Sequence, residues 1–352
     1  MTSTQILLRI KKGIDRELSV FFAEQIRRTR GRHQLSRALM SAVGEFTLRP
    51  GAKRTRGTLV ALGYLTNPRN KITRNILKMA SAYEVLQSYL LIHDDIIDRD
   101  TERRGKPTLH KIFERYAPRS FHIREREQLG TDIAIIAGDV AADLVQRLVV
   151  ETGFTDAVKI RTLEYIEQTL HSTYVGQVLD ILAMPQRIPS RSEQELRYRL
   201  KTATYTIEAP FLLGVLVGRG RIHESAFRTF AQNAGVGFQL TDDIQNVFGK
   251  GFSARSSDIR GGKITLLISY ALESAAYRKK IIALLQKPSK TAGDLRLLKR
   301  YMRESGGYDK AVKSVRQRYE TARKVLEKAG LRPAVRALFS SMMESLEKPL
   351  EQ

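Results

Sequence analysis

Apolar side chains recur every three or four residues along most of the chain, and the strict alternation of a half-buried strand is hard to find. The run Ile72, Ile76, Met79, Tyr83, Leu86 and Leu90 lays one apolar face along a helix that continues to Asp94. A second run, Phe227, Phe230, Ala234 and Phe238, ends in the same way at Asp242. Both predicted helices therefore deliver carboxylates at the C-terminal end of a buried stripe. Glycine- and proline-bearing breaks at 47–51, 67–70, 105–107, 184–190, 218–220, 249–251, 261–262 and 306–307 cut the chain into about a dozen helices of ordinary length. With no low-complexity linker and no short-period repeat, one large helical domain over residues 1–352 is expected.

Composition fits this reading. Of the 352 residues, 42% are hydrophobic and 28% charged, with ten prolines and no tryptophan, the profile of a globular helix-rich protein. Cysteine is absent, which excludes a disulfide framework, a thiolate metal site and a cysteine nucleophile, and agrees with a cytosolic location. The N-terminal residues 1–10 lack the apolar core of a signal peptide. No stretch reaches the ~18 uncharged apolar residues of a membrane span, so the chain is not expected to be integral to a membrane.

Charge narrows the partners. Sixty Lys and Arg against 37 Asp and Glu give a net +23, which calls for an anion: a polyphosphate substrate, an anionic lipid surface or nucleic acid. Basic runs such as 27–32 and Lys299-Arg300 read as solvated helix faces. Aromatics do not interleave with them as in a base-stacking platform, so nucleic acid is disfavoured, while peripheral contact with an anionic membrane stays open.

The acidic motifs carry the chemistry. Asp94 and Asp98 share a helix face one turn apart and can reach one cation or two adjacent ones, whereas Asp95 turns aside. Such acids could simply pair with Arg99, Arg103 and Arg104, but Asp242-Asp243 forms a second cluster of the same kind. Oxygen-only donors favour a hard cation, and magnesium keeps its waters while bridging phosphates. A pair of such sites would clamp a diphosphate. Basic clusters answer them: Gly51-Ala52-Lys53-Arg54-Thr55-Arg56 and Arg103-Arg104-Gly105-Lys106 are short and glycine-flanked, as suits docking of phosphate oxygens. A lysine, a threonine hydroxyl and an amide oxygen, from Lys201, Thr202 and Gln239, could steady a carbocation near a departing diphosphate.

In order and spacing these segments resemble the trans-isoprenyl diphosphate synthases, or polyprenyl synthetases, and most closely the archaeal-type geranylgeranyl diphosphate synthases. The resemblance spans roughly residues 40–345. It rests on Gly51-Ala52-Lys53-Arg54-Thr55-Arg56, Glu84-Val85-Leu86-Gln87, His93-Asp94-Asp95-Ile96-Ile97-Asp98, Arg103-Arg104-Gly105-Lys106-Pro107-Thr108, Gly138-Asp139, Gly176-Gln177-Val178-Leu179-Asp180, Lys201-Thr202, Gly237-Phe238-Gln239-Leu240-Thr241-Asp242-Asp243 and Ser257-Asp258-Ile259-Arg260-Gly261-Gly262-Lys263.

The resemblance implies an all-α isoprenoid synthase fold, a helical bundle around a central cavity, in a homodimer. It implies three magnesium ions on an allylic diphosphate (dimethylallyl, geranyl or farnesyl), with Asp94, Asp98 and Asp242 as ligands and Asp95 and Asp243 as supporting acids. Arg103, Lys201 and Lys263 would hold the allylic diphosphate. Lys53, Arg56 and Arg104 would hold isopentenyl diphosphate, and Gln87 and Gln177 would also bind substrate. Lys201, Thr202 and Gln239 would be the catalytic group, Thr202 and Gln239 stabilising the allylic cation after ionisation. The alkene then attacks and the departing diphosphate takes the proton, so no protein base is needed.

The chain departs from the pattern at three places. Asn246 stands where the second motif commonly ends in aspartate, Gln87 where histidine is frequent, and the loop 249–256 is short, leaving Lys250 or Arg255 to replace its usual lysine. Tyr89 lies about 7.5 Å before Asp94 along the helix axis. It is the candidate floor of the product tunnel, and with non-aromatic Leu90 it favours a twenty-carbon product over a farnesyl or longer chain. The alternative for Tyr89 is ordinary core packing. Other readings are a phosphohydrolase, from the doublet His93-Asp94, and a non-catalytic synthase subunit. The first needs further histidines, of which only His33 lies upstream. The second fits poorly with five retained aspartates, and a terpene cyclase has no need of Lys53 and Arg56.

Overall fold

A computed structural model describes residues 3–249 and 257–347. Lys250 and Arg255 lie outside the described residues. As the periodicity predicts, the fold is all-α: among the described residues, regular strands are confined to β1 (Glu102–Arg103) and β2 (Lys106–Pro107), an antiparallel pair. The helices gather into two compact units, Met1–Tyr165 with Pro210–Gly220, and Ile166–Ala209 with Arg221–Gln352.

The first unit contains α1 (Ser3–Arg27), α2 (Gln34–Thr47), α3 (Thr55–Tyr64), α4 (Arg74–Ile97), α5 (Leu109–Phe113) and α6 (Ile123–Val150). Helix α1 buries Ile10, Ile14, Leu18, Phe21 and Phe22, a stripe of helical period. Helix α4 differs from the one-faced helix that its sequence suggests. Ile72 precedes its first residue, and every residue from Met79 to Leu86 is buried, because α1, α3 and α6 pack around it. Its interior polar groups are satisfied: Ser81 donates to the Leu77 carbonyl at 2.9 Å, and Glu84 accepts the Gly57 N–H at 2.8 Å. The returning segment Pro210–Gly220 is tied in where Asn67 donates to the Gly218 carbonyl at 2.9 Å.

Helix α7 (Asp156–Ile181) begins in the first unit and ends in the second. There follow α8 (Arg191–Tyr198), a π-helical stretch Arg199–Glu208, α9 (Ala209–Gly218) and α10 (Glu224–Phe248). The run Arg191–Gly218 is long and apolar enough to cross a membrane by length and composition, and 67% of its most apolar window is buried inside the protein. Helix α10 buries Phe227, Phe230, Ala234, Leu240, Ile244 and Val247 against the π-helical stretch and the helix Gly307–Leu326, while Phe238 is half-buried. Phe227, Phe230 and Phe339 close this core with ring centroids 5.1–5.5 Å apart.

Candidate active site

In the first unit, α4 ends on the acidic motif. Asp98 caps it, donating its N–H to the Asp94 carbonyl at 2.8 Å, and Arg99 turns the chain with φ +56°. Asp94 and Asp98 are half-buried, one turn apart. Asp95 is 1% exposed, and its Oδ1 accepts a short hydrogen bond from Arg103 Nε. Burial pushes the Asp95 carboxyl up to about 7, with Arg103 offsetting part of that rise. Its Oδ2 is buried without a hydrogen-bond partner.

Arg103 and Arg104 sit on the β1–β2 hairpin. Arg104 and Gly105 form its tip with φ +54° and +71°, and a two-residue type I′ turn requires positive φ at both places. Arg49 anchors the hairpin from outside the sequence motif, donating to the Pro107 carbonyl at 2.6 Å and the Arg103 carbonyl at 3.3 Å. Arg104 lies within electrostatic reach of Arg54, Arg103 and Arg56, with Glu84 the one acid among its strongest influences. Arg54 is tied down structurally, donating to Asp15 at 2.7 Å and the Thr47 carbonyl at 2.9 Å. Arg56 is half-buried and Lys53 exposed. Gln87 has its amide oxygen buried without a partner. Tyr89 is half-buried, edge-on to His93 at 5.1 Å. His93 packs so closely on α6 that a Cβ at Gly138 would come within 2.3 Å of its ring.

In the second unit, the acids sort in the same way. Asp242 is exposed and accepts from Asn246 Nδ2 at 3.3 Å. Asp243 is 3% exposed, accepts a short hydrogen bond from the Tyr198 hydroxyl, and faces Gln239 Nε2 at 3.4 Å. Thr202 donates to Gln239 Oε1 at 2.9 Å. Burial, followed by the charge of Asp243, pushes the Tyr198 phenol well above its ordinary range. Lys201 and Lys263 converge on Asp180 at 2.6 and 2.9 Å, and Arg197 approaches it at 3.4 Å. Burial alone would raise the Asp180 carboxyl, but these three cations hold it well below the usual range. Half-buried Gln177 lies one turn before Asp180. Neighbouring Gly176 is needed for close approach, since a Cβ there would sit 2.5 Å from the Lys201 backbone nitrogen.

Among the described residues, no three His, Cys, Asp or Glu side chains gather into a metal cage. The donor sets are pairs: Asp94 with Asp98, and Asp242 with Asn246. Paired hard oxygens that leave coordination to water and phosphate fit magnesium, and the unpartnered Asp95 Oδ2 leaves an acceptor for a hydrated cation.

An all-α fold with an acidic motif and a cluster of cations in each unit is that of the isoprenoid synthase class. The polyprenyl synthetase family profile matches residues 37–302, and the chain belongs to that family of divalent-metal-dependent, head-to-tail prenyltransferases. The chain is 27% identical over 313 residues to the geranylfarnesyl diphosphate synthase of Aeropyrum pernix, covering 87% of this chain and 92% of that one. It is 28% identical over 274 residues to a short chain isoprenyl diphosphate synthase of Methanothermobacter thermautotrophicus, covering 76% and 78%. The crystal structure of geranylgeranyl pyrophosphate synthase from Corynebacterium glutamicum, complexed with isoprenyl diphosphate and magnesium, matches with a TM-score of 0.86 at 25% identity, over 97% of this chain and 98% of that one. The family and fold expected from the sequence are thus borne out.

Sequence reasoning missed Arg49, Gln194, Arg197 and Tyr198. The last three lie in a segment so rich in charge that it reads as a solvated face, yet all three are buried. The π-helical geometry of Arg199–Glu208, a form that often marks functional sites, left no sequence signal either.

Proposed function

We propose that this protein condenses isopentenyl diphosphate with an allylic diphosphate in a magnesium-dependent reaction and that its main product is geranylgeranyl diphosphate. One observation carries the reading: a cluster of cations is gathered beside each acidic motif. Three cations share Asp180 in the second unit, and Arg54, Arg56, Arg103 and Arg104 are gathered in the first. Such clustered cations suit the oxygens of a polyanion.

Asp94, Asp98 and Asp242 would hold magnesium, and Asp95 and Asp243, engaged with Arg103 and Tyr198, would support them. Three ions per allylic diphosphate are proposed from the resemblance. Bound magnesium neutralises charge on the diphosphate and makes it a better leaving group. By the resemblance, Arg103, Lys201 and Lys263 would bind the allylic diphosphate and take up the charge that develops on it. Lys53, Arg56 and Arg104 take the diphosphate of the other substrate, with Gln87 and Gln177 as further polar contacts. Thr202 donates its O–H in a hydrogen bond to Gln239 Oε1, so its lone pairs remain to meet the developing allylic cation. The alkene of isopentenyl diphosphate forms the new C–C bond, and the released diphosphate takes the proton. Tyr89, half-buried and braced by His93, sets the tunnel floor.

The test is condensation by Asp94→Ala and Asp242→Ala variants with magnesium, isopentenyl diphosphate and each allylic substrate. Both should lose most product formation. Undiminished condensation in either removes that residue from the metal site.

Two partner proposals accompany this. A homodimer is supported by exposed Tyr174, Val175, Val178 and Ile181 on α7 and by Leu182 and Met184 just beyond it. Val178→Lys should give a monomer in analytical ultracentrifugation, and an unchanged dimer would remove this face. Contact with anionic membrane is supported by Lys280, Lys299, Arg300 and Arg303, which lie over the rings of Tyr277, Tyr301, Phe248 and Tyr308. The cations cover these ring faces, so the rings are poor stacking platforms for bases. Sedimentation with phosphatidylglycerol vesicles but not phosphatidylcholine vesicles is expected, and equal behaviour with both contradicts it.

A further inference from the structure

Two buried residues end α8: Arg197, one of the cations on Asp180, and Tyr198, which the proposed chemistry does not use. Arg197 and Tyr198 are 2% and 4% exposed, and they directly precede the π-helical stretch that carries Lys201 and Thr202. The Tyr198 hydroxyl is a junction. It donates to Asp243 Oδ2 and accepts the backbone N–H of Leu266 at 2.9 Å. Leu266 opens the helix Leu266–Leu272, so its N–H is one of the donors that a helix start leaves without an internal partner. Two residues earlier, the Ile264 carbonyl accepts from Gln194 at 2.8 Å and from Arg197 at 3.2 Å. Helix α8 therefore grips the segment Lys263–Leu266 at two backbone points. Through Tyr198 it joins that segment to the buried acid of the second motif, and through Arg197 to Asp180, which holds Lys263 itself.

We infer that Tyr198 is a positioning residue for diphosphate binding: its hydroxyl locks Asp243 and the Lys263–Leu266 segment into one arrangement, so that a metal-bound diphosphate meets a preformed site. The inference rests on the diphosphate reading of this site. Packing alone does not require the hydroxyl. Phenylalanine fills nearly the same volume, and burying a phenol is unfavourable unless its hydrogen bonds are made. Here the hydroxyl bonds two different elements of the site, and the bond to a carboxylate is charge-assisted.

Tyr198→Phe removes that junction, with the hydroxyl's interaction with Arg197, and keeps the ring. Calorimetric binding of inorganic pyrophosphate with magnesium should weaken about tenfold, the scale of one lost hydrogen bond to a charged group. The KM for the allylic diphosphate should rise by a similar factor, while the KM for isopentenyl diphosphate changes less than twofold. Pyrophosphate affinity and allylic KM both within twofold of wild type would overturn the inference. A wild type that binds no pyrophosphate would defeat the diphosphate reading beneath it as well. Should Tyr198→Phe fold poorly, hydrogen exchange on the wild type decides. The amides of residues 264–266 should already be protected without ligand and change little when magnesium and pyrophosphate are added. Fast exchange that slows only with ligand contradicts a preformed site.

Discussion

Asp180→Asn separates the electrostatic account from simple packing, because asparagine keeps the shape and removes the charge. Lys201, Lys263 and Arg197 are then left without their shared anion, and Arg197 is almost wholly buried. Breaking a buried pair from one side costs about 3 kcal/mol or more, since the remaining charge is desolvated and unpaired. At about 2–4 °C per kcal/mol for a body of 150–250 residues, the melting midpoint should fall by roughly 6–12 °C. Inorganic pyrophosphate can stand in for the lost charge. At about a hundred times its dissociation constant it stabilises by about 2.7 kcal/mol, so it should recover most of the loss in the variant. Because the Asp180 carboxyl lies below its unfolded value, its contribution is complete above that value and is lost only as pH falls through the folded one. The gap between wild type and variant should therefore be flat from about pH 5 to 8. Thermal unfolding followed by circular dichroism reads all three quantities. A variant melting within 2 °C of wild type, on the same per-kcal scale, would refute the claim that Asp180 balances these cations.

Arg49→Ala should loosen the hairpin that carries Arg103 and Arg104. Losing its two bonds to carbonyl oxygens at about 1.4 kcal/mol in total predicts roughly a tenfold lower kcat/KM, and unchanged steady-state kinetics would contradict it. Asn246→Asp replaces an amide that donates to Asp242 with a second carboxylate. The magnesium concentration for half-maximal condensation should drop several-fold, whereas an unchanged or higher requirement argues against a metal role for this position. Tyr89→Ala should lengthen the product by one or more five-carbon units on chromatography, and an identical product profile removes Tyr89 as the tunnel floor.

The all-α fold and both acidic motifs were legible because their signals are local. Helical spacing joins Asp94 to Asp98, and Asp242 to Asn246, within single helices. What could not be read is set by contacts distant in sequence. Asp243 reads as a supporting acid beside Asp242, but the buried Tyr198 hydroxyl that holds it lies 45 positions away and carries no mark in the sequence. Arg49 reaches a carbonyl 58 positions on, and nothing in its neighbours marks it. Helix α4 illustrates the same limit: its stripe is real, but Ala80, Ala82 and Val85 are buried as well, because three helices surround it. The basic run around Lys299 looked like a solvated face, and only the tertiary structure brings the Phe248 ring beneath Lys299 and Arg303.

The most direct measurement is mass-spectrometric identification of what the wild-type protein makes from isopentenyl diphosphate, magnesium and farnesyl diphosphate. The predicted result is geranylgeranyl diphosphate together with one inorganic diphosphate released per new C–C bond. Phosphate release without any longer prenyl chain, from this or from the dimethylallyl and geranyl substrates, would contradict the account.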